Sequence, residues 1–345
     1  MNPIRRATWL AALLVTSLYP LASQAQDFPN KPIKFVVGYA AGGPTDVIAR
    51  IVGQEVTQSL GQAVIVENRA GANGNIGTES VARAPADGYT LIVNTLSHNV
   101  NPLLNPGVAK YDPVKDFSPI SLAVVLPQLL VVAYDSPFQT LADLVKAAKA
   151  EPEKITYGSA GNGGSAHLSA ELLAQRSGTK MTHIPYKGNG PALTEVMAGR
   201  VSFMFYPMIG VASHVADKKL RILGVTTEKR HPDFPNAPTM AEAGFPGFEA
   251  YVGPVGFMAP AGTPAAAVQK LSTAIRAALA KPEVRERLRG LGAVVVGSTP
   301  EEYREWLKGD ALRWGQLIKA ANLKGELSAI VHALINASSA LDGHG

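Results

Sequence analysis

The chain has 345 residues, which suits two ordinary domains better than one. Hydrophobic residues make up 46% of it and charged residues 17%, so it can bury real cores and is not a disordered chain. The lack of cysteine excludes disulfides, thiolate metal sites and cysteine nucleophiles. The formal charge is +5, but the basic residues are dispersed, so nucleic acid is not a predicted partner.

The first 25 residues have the pattern of a secretory signal. Arg5 and Arg6 form a short basic region, an apolar stretch runs from Trp9 to Leu21, and small residues occupy positions 23 and 25. Signal peptidase needs small residues there, so cleavage is predicted after Ala25. A membrane anchor is the alternative, but the apolar stretch is short and interrupted by serine and proline. We therefore expect an exported protein.

Strand and helix patterns alternate after this signal. The helical spacing of valine and isoleucine is clear from Asp46 onward and ends at Gly61. The predicted elements of this first unit are, in order, a strand at Ile33–Tyr39, a helix at Asp46–Leu60, a strand at Ala63–Glu67, a helix at Thr78–Ala84 and a strand at Tyr89–Asn94. This order favours a parallel sheet covered by helices.

A second unit of the same kind follows. Its predicted elements are a helix at Leu141–Ala150, a strand at Ile155–Gly158, a helix at Ala166–Arg176, a strand at Thr182–Pro185, a helix at Pro191–Ala198 and strands at Val201–Tyr206 and Leu220–Thr226. Linking strands at Leu122–Tyr134 and Phe248–Met258 would lead into this unit and back. The sequence therefore predicts two α/β lobes, a discontinuous first lobe of residues 27–126 and 252–345 and a second lobe of residues 127–251.

Two glycine-rich loops occupy the same place in the two units. Gly38–Asp46 and Gly158–His167 each follow a strand and open a helix. Such a loop exposes unpaired backbone N–H groups at the positive end of the helix dipole, which suits a carboxylate or phosphate. Thr45, Ser159 and Ser165 would add hydroxyl donors. The alternative is tight packing with ordinary helix capping by Thr45 and Ser165.

Asp46 has two possible roles in the first loop. A carboxylate near a helix start is often a simple N-terminal cap. It could instead orient the loop or accept a bond from a ligand.

Other chemistries find less support. Gly161–Ala166 matches G-x-G-x-x-A, but the next strand ends in His183–Pro185 without an acidic residue for a ribose. The sequence contains no G-x-S-x-G elbow, G-K-[ST] loop or H-E-x-x-H spacing, so no cofactor or metal is predicted. An exported hydrolase using Ser165 and His167 remains the alternative function, although these neighbours are poorly placed as nucleophile and base.

The motifs taken together resemble the Bug family, the periplasmic receptors related to tripartite tricarboxylate transporters. The resemblance covers residues 28–323 and is specific because the motifs occur in order. They are Tyr39–Asp46, Glu67–Gly77, Ala86–Leu91, Gly158–Ser165, Thr182–Gly188, Pro238–Gly244 and Ala259–Pro264.

The resemblance implies a two-lobe periplasmic binding protein of type II that closes on a small organic carboxylate. It further implies a monomer in the periplasm that serves a membrane transporter or a sensor. The ligand-binding residues it implies are Tyr39, Ala40, Gly43, Thr45 and Asp46 in the first lobe, Ser97 and His98 at the cleft floor, Ser159, Ala160, Gly164 and Ser165 in the second lobe, and Tyr206, Pro207 and Met208 as a side wall. Tyr206 and Met208 could form an apolar wall for a larger or aromatic acid, or could equally be core residues.

Two features depart from the family pattern. The family has a tryptophan in the returning linker, whereas this chain has Tyr251–Phe257 there without one. The chain also continues past Leu323 with an alanine-rich tail, for which the resemblance supplies no role.

Overall fold

The computed structural model describes residues 28–186, 188–208, 210–320 and 323. The predicted export signal and the tail after Leu323 lie outside these residues. Within the described part, no helix combines the length and apolar character needed to cross a membrane.

A six-stranded sheet forms the first lobe. Its strands are β1 (Ile33–Val37), β2 (Val64–Asn68), β3 (Thr90–Asn94), β4 (Phe117–Leu126), β10 (Gly253–Pro260) and β11 (Val294–Val295), in the order β11-β4-β10-β3-β1-β2. Strands β2, β1 and β3 are parallel, and β10 runs antiparallel to β3 and β4. The helices of this part are α1 (Pro44–Leu60), α2 (Asn75–Ala82), α3 (Ser97–Leu104), α8 (Ala265–Ala280), α9 (Pro282–Gly290) and α10 (Pro300–Ala320).

A five-stranded sheet forms the second lobe. Its strands are β5 (Gln128–Ala133), β6 (Thr156–Ser159), β7 (Thr182–Pro185), β8 (Phe203–Pro207) and β9 (Leu220–Val225), in the order β7-β6-β8-β5-β9. Strands β7, β6 and β8 are parallel, and β5 is antiparallel to both of its neighbours. Its helices are α4 (Leu141–Ala150), α5 (Ser165–Ser177), α6 (Asn189–Met197) and α7 (Ala212–Ala216).

The chain crosses between the sheets at a proline. The prediction of one linking strand at Leu122–Tyr134 is wrong, because β4 ends at Leu126 and β5 begins at Gln128 in the other sheet. Pro127 between them has no N–H and cannot continue a ladder. The returning segment is likewise a 3₁₀ turn at Phe248–Ala250 followed by β10. The two-sheet α/β architecture itself is confirmed, and the exact lobe boundaries stay a prediction.

Each lobe has an apolar cluster of its own, and a further cluster spans both lobes. In the first lobe, Phe35 of β1 packs on Phe257 of β10 with ring centroids 4.9 Å apart. Helix α10 joins the lobes: its Tyr303 is buried against the first sheet, whereas its Trp314 belongs to the cluster that combines α3 with the core of the second lobe. Trp314 meets Tyr251 of the returning linker edge to face at 4.9 Å. An aromatic contact from α10 therefore lies at the linker position where the family tryptophan was expected.

Candidate ligand-binding cleft

The two predicted loops adopt the same backbone turn. In the first, Gly42 has φ +82° and Gly43 is the N-cap of α1, with φ −76° and ψ 168°. In the second, Gly163 has φ +76° and Gly164 is the N-cap of α5, with φ −73° and ψ 160°. The positive φ at the first glycine of each pair disfavours other residues. The two loops, which are similar in sequence, therefore also share a backbone conformation.

The same hydrogen bond holds each turn. The N–H of Gly42 donates to Oδ2 of Asp46 at 2.9 Å, four residues on. The N–H of Gly163 donates to Nδ1 of His167 at 3.0 Å, also four residues on. Each bond fixes the glycine that precedes the N-cap and so sets how the helix start faces the cleft.

The start of α1 is uncapped by any side chain. The N-cap is a glycine, and neither it nor Thr45 forms a side-chain capping bond. An N-cap side chain would accept from the second and third N–H groups of the helix, which here belong to Thr45 and Asp46. No described residue accepts from these two N–H groups. These two N–H groups form a candidate anion seat, and the alternative of ordinary capping by Thr45 is not found.

The start of α5 repeats this arrangement. Gly164 is the N-cap without a side-chain bond, and the second and third N–H groups, of Ala166 and His167, find no acceptor among the described residues. Ser165 does not cap the helix either. Each helix start also carries a hydroxyl with no described partner, from Thr45 in α1 and Ser165 in α5.

Asp46 is a support for its loop. Its carboxylate accepts from the Gly42 N–H, from Nε and Nη2 of Arg50 and from Nδ2 of Asn68, all at 2.9 Å. Burial acts to raise the pKa of Asp46, but the bonds from Arg50, Gly42 and Asn68 outweigh it and leave the pKa below its ordinary value. Both oxygens are therefore already engaged, which agrees with a role in orienting the loop.

Tyr39 connects the first loop to the cleft floor. Its hydroxyl lies 2.6 Å from Oγ of Ser97 and 2.9 Å from Oγ1 of Thr95. It also approaches the backbone carbonyl of Asn73 at 3.4 Å. The structure thus brings the predicted residues Tyr39 and Ser97 together, beside two residues that the sequence analysis did not select.

The His98 side chain faces away from this group. Nε2 pairs with the Pro113 carbonyl at 2.8 Å, and the ring packs on Tyr111 and Phe117 with centroids 5.4 and 4.7 Å away. Burial lowers the pKa of His98 to about 4, so the ring is neutral. This geometry speaks against contact between its imidazole and a ligand, because α3, which the sequence analysis did not predict, turns the ring into the core.

Ser159 is likewise occupied within its own lobe. Its Oγ lies 2.6 Å from Nε2 of His183 and accepts the N–H of Gly161 at 3.1 Å. The residue is fully buried. Ser159 therefore supports the shape of the second loop. Ala160 lies between Ser159 and Gly161.

The proposed side wall lies near the crossing between lobes. Pro207 is opposite Gln128 in the β8–β5 ladder, and Tyr206 is partly buried. Met208 is buried against Gly292 of the other lobe, where an added Cβ would come within 2.3 Å of the Met208 Cβ. Met208 is therefore an interlobe packing residue, the core alternative that the sequence left open.

Gln128 was missed by the sequence analysis. Its Oε1 accepts from the Ser169 hydroxyl at 2.5 Å, on the face of α5 one turn below Ser165. Its Nε2 is buried and has no partner among the described residues. A buried donor without a partner is uncommon. The local sequence gives no sign of it, because strand β5 is otherwise apolar.

Asn73 joins the two lobes. Its Nδ2 donates to the Asn162 carbonyl of the second loop at 2.9 Å. Beside it, Gly163 lies so near α3 that an added Cβ would be 2.6 Å from Leu104 and 3.2 Å from Val100. The two lobes therefore meet directly around the helix starts. Asn73 follows β2 at the carboxyl edge of the parallel strands, a position that could have selected it.

A family model for the tripartite tricarboxylate transporter family receptor matches residues 48–323. This chain belongs to that receptor family. The receptor is 41% identical over 315 residues to the UPF0065 protein in the tcbD-tcbE intergenic region of Pseudomonas sp. (strain P51), covering 91% of this chain and 93% of the relative.

Solved structures share the fold of the receptor. The periplasmic binding protein BugD is 36% identical with a TM-score of 0.78, over 87% of this chain and all of BugD. Rpa4515 of R. palustris, solved with adipate, is 34% identical with a TM-score of 0.81, over 87% and 100% of the chains. MatC from Rhodopseudomonas palustris, with bound malate, is 32% identical with a TM-score of 0.77, over 84% and 100%. The resemblance to Bug proteins is thereby confirmed.

Proposed function

We propose that this chain is an exported receptor that binds a small organic carboxylate between its two lobes. The lobes would be residues 27–126 with 252–345, and residues 127–251. The division is supported by the change of sheet between Leu126 and Gln128.

The observation that carries the proposal is the pair of glycine-capped helix starts. A ligand carboxylate would accept from the N–H groups of Thr45 and Asp46 in one lobe and of Ala166 and His167 in the other. Each helix start contributes positive potential, which favours an anion without a cationic side chain. The hydroxyls of Thr45 and Ser165 would add donors. Because there are two such helix starts, one ligand could place a carboxylate at one of them and a second polar group at the other.

The other predicted residues would contact the ligand in different ways. Ala40, Gly43, Ala160 and Gly164 would approach the ligand through their backbone. Tyr39 and Ser97 would form the floor, and Tyr206 and Pro207 the side wall. The solved relatives with adipate and malate support a carboxylate ligand, and the ligand class proposed here is a mono-, di- or tricarboxylate.

The hydrolase alternative is not favoured by the geometry. Nδ1 of His167 already accepts from the Gly163 N–H, and no hydrogen bond joins the described side chains of Ser165 and His167. A general base needs a free lone pair within reach of its nucleophile. We propose that the chain binds its ligand without chemical change.

The partner and the location follow from the proposed export and closure. The receptor would act in the periplasm as a monomer after cleavage behind Ala25. Its closed form, with both lobes joined at Asn73, would be recognised by a membrane transporter or a sensor.

A thermal-shift screen tests the proposal. The mature protein is heated with a panel of acids that includes malate, adipate, citrate and benzoate, with the matching amides as uncharged controls. A ligand that binds only the folded state raises the Tm, so at least one acid should raise it while its amide does not. Native mass spectrometry of protein purified without refolding would identify a co-purified acid. No shift with any acid at saturating concentration would contradict the proposal.

A further inference from the structure

His167 occupies the same place in α5 that Asp46 occupies in α1. Each is the third residue of its helix, and each accepts the N–H of the positive-φ glycine four residues earlier. We propose that His167 is a positioning residue: its imidazole does for Gly163 what the Asp46 carboxylate does for Gly42, and so holds the second anion seat in shape. This inference rests on the proposed function for the seat, but its geometry does not require a ligand.

The hydrogen bond fixes the state of the His167 ring. Because Gly163 donates its N–H, Nδ1 must carry a lone pair, and the ring proton of the neutral form lies on Nε2. Nε2 lies 3.9 Å from Oε1 of Glu171. Burial, with a smaller contribution from His183, lowers the pKa of His167 to about 3. The ring is thus a neutral acceptor over the ordinary pH range.

The surroundings explain why this seat uses a neutral acceptor. In the first lobe the Asp46 carboxylate is compensated by Arg50 at 2.9 Å. The His167 ring instead stacks on His183 at 4.1 Å, with Tyr157 6.2 Å away and Glu171 beside Nε2. Among the described residues, no lysine or arginine pairs with either His167 or Glu171. A carboxylate there would be buried without a counter-ion, which is costly.

The rest of the ring cluster is already satisfied. His183 pairs with the Ser159 hydroxyl, and Tyr157 donates to Glu171. Burial lowers the pKa of His183 to about 4, so its ring is neutral, and burial raises the pKa of Glu171 above its ordinary value. The two histidine rings and Tyr157 therefore form an uncharged stack under the start of α5, and His167 is its contact to the loop.

Two variants separate positioning from simple packing. In His167→Asn the amide Oδ1 stands near the position of Nδ1 and can still accept from Gly163. In His167→Leu the volume is similar but the acceptor is lost. Amide hydrogen exchange at Gly163, followed by NMR without any acid present, should be equally slow in wild type and His167→Asn and faster by about tenfold or more in His167→Leu.

Ring ¹⁵N spectra and acid binding complete the test. At about pH 5 the wild-type ring should show the neutral form protonated on Nε2. Adipate and malate are then titrated: the Kd should stay within about threefold in His167→Asn and rise about tenfold or more in His167→Leu. Equal Gly163 exchange in wild type and His167→Leu, or a proton on Nδ1, would overturn the inference. If neither acid binds wild type, the exchange and ring data still decide the role of His167, and only the proposed function fails.

Discussion

The side-chain amide of Asn73 donates to the backbone carbonyl of Asn162 across the cleft, at 2.9 Å. The same residue is held on its own side by Asn101, whose Nδ2 donates to the Asn73 carbonyl at 3.1 Å. Tyr39, at the mouth of the first loop, approaches that carbonyl as well. One asparagine thus links the residues beside the first glycine-rich loop to the second loop.

Removing this link should weaken closure without unfolding the protein. Asn73 has φ +50°, so Asn73→Gly keeps the backbone conformation and removes only the amide. A lost hydrogen bond of about 1 kcal/mol corresponds to a Kd about fivefold higher for the best acid of the screen, with the Tm nearly unchanged. Calorimetric titration gives the Kd, and small-angle scattering should show a larger open fraction. An unchanged Kd together with unchanged scattering would show that the bond does not matter for closure.

Asp46 should contribute to stability more than its neighbour Arg50. Asp46→Asn replaces a buried acceptor of four bonds with a group whose NH₂ faces donors, and should cost about 3 kcal/mol of unfolding free energy. Arg50→Gln is the control: its side chain is half exposed, and Gly42 and Asn68 still bind Asp46. We expect a clearly smaller loss there, because an exposed ion pair adds little stability. Urea unfolding measures both, and equal losses would contradict the assigned role.

Asp310 of α10 should make the free energy of unfolding depend on pH. It is buried, accepts from Asn99 at 2.8 Å and Trp314 at 3.0 Å, and burial raises its pKa to about 6 from 3.8. Because the folded state holds the proton more tightly, this stabilisation is complete below about pH 4 and is lost as the pH rises through about 6.

The loss should reach about 3 kcal/mol at most. The variant Asp310→Asn lacks this titration, so its unfolding free energy relative to wild type should improve between pH 4 and 7. Denaturant unfolding at several pH values measures the difference, in which other titrating groups cancel. A constant difference across this range would rule out the assignment.

The two loops were predictable because their chemistry is local. A Gly-Gly pair between a strand and a helix requires a positive φ followed by an N-cap, and both pairs have them. The partners of the polar side chains were not local. The Asp46 carboxylate accepts from Asn68 of another strand, and the Ser159 hydroxyl pairs with His183, so these two side chains already have partners that support the loops.

The errors in predicting the fold from the sequence also have physical causes. The apolar residues on both sides of Pro127 predict one strand, yet the proline separates two sheets. Helix α3 contains Pro102 and two asparagines, Asn99 and Asn101, which have poor helical propensity, so tertiary packing decides its conformation. That helix determines where His98 points. Asn73 matters through a hydrogen bond between the lobes, and Gln128 through one between β5 and α5. Neither contact follows from a periodic sequence pattern.

The most direct test adds a carboxylate to the protein itself. Gly43→Asp and Gly164→Asp place an N-cap side chain that would accept from the free N–H groups and occupy each seat; ordinary space is available at both positions, where the nearest atoms to an added Cβ are 3.6 and 3.4 Å away. Gly290→Asp, in open space at the end of α9, is the control. We predict that both seat variants keep or raise the Tm without ligand and lose the acid-induced shift, which the control retains. An undiminished acid-induced shift in Gly43→Asp and Gly164→Asp would contradict the account.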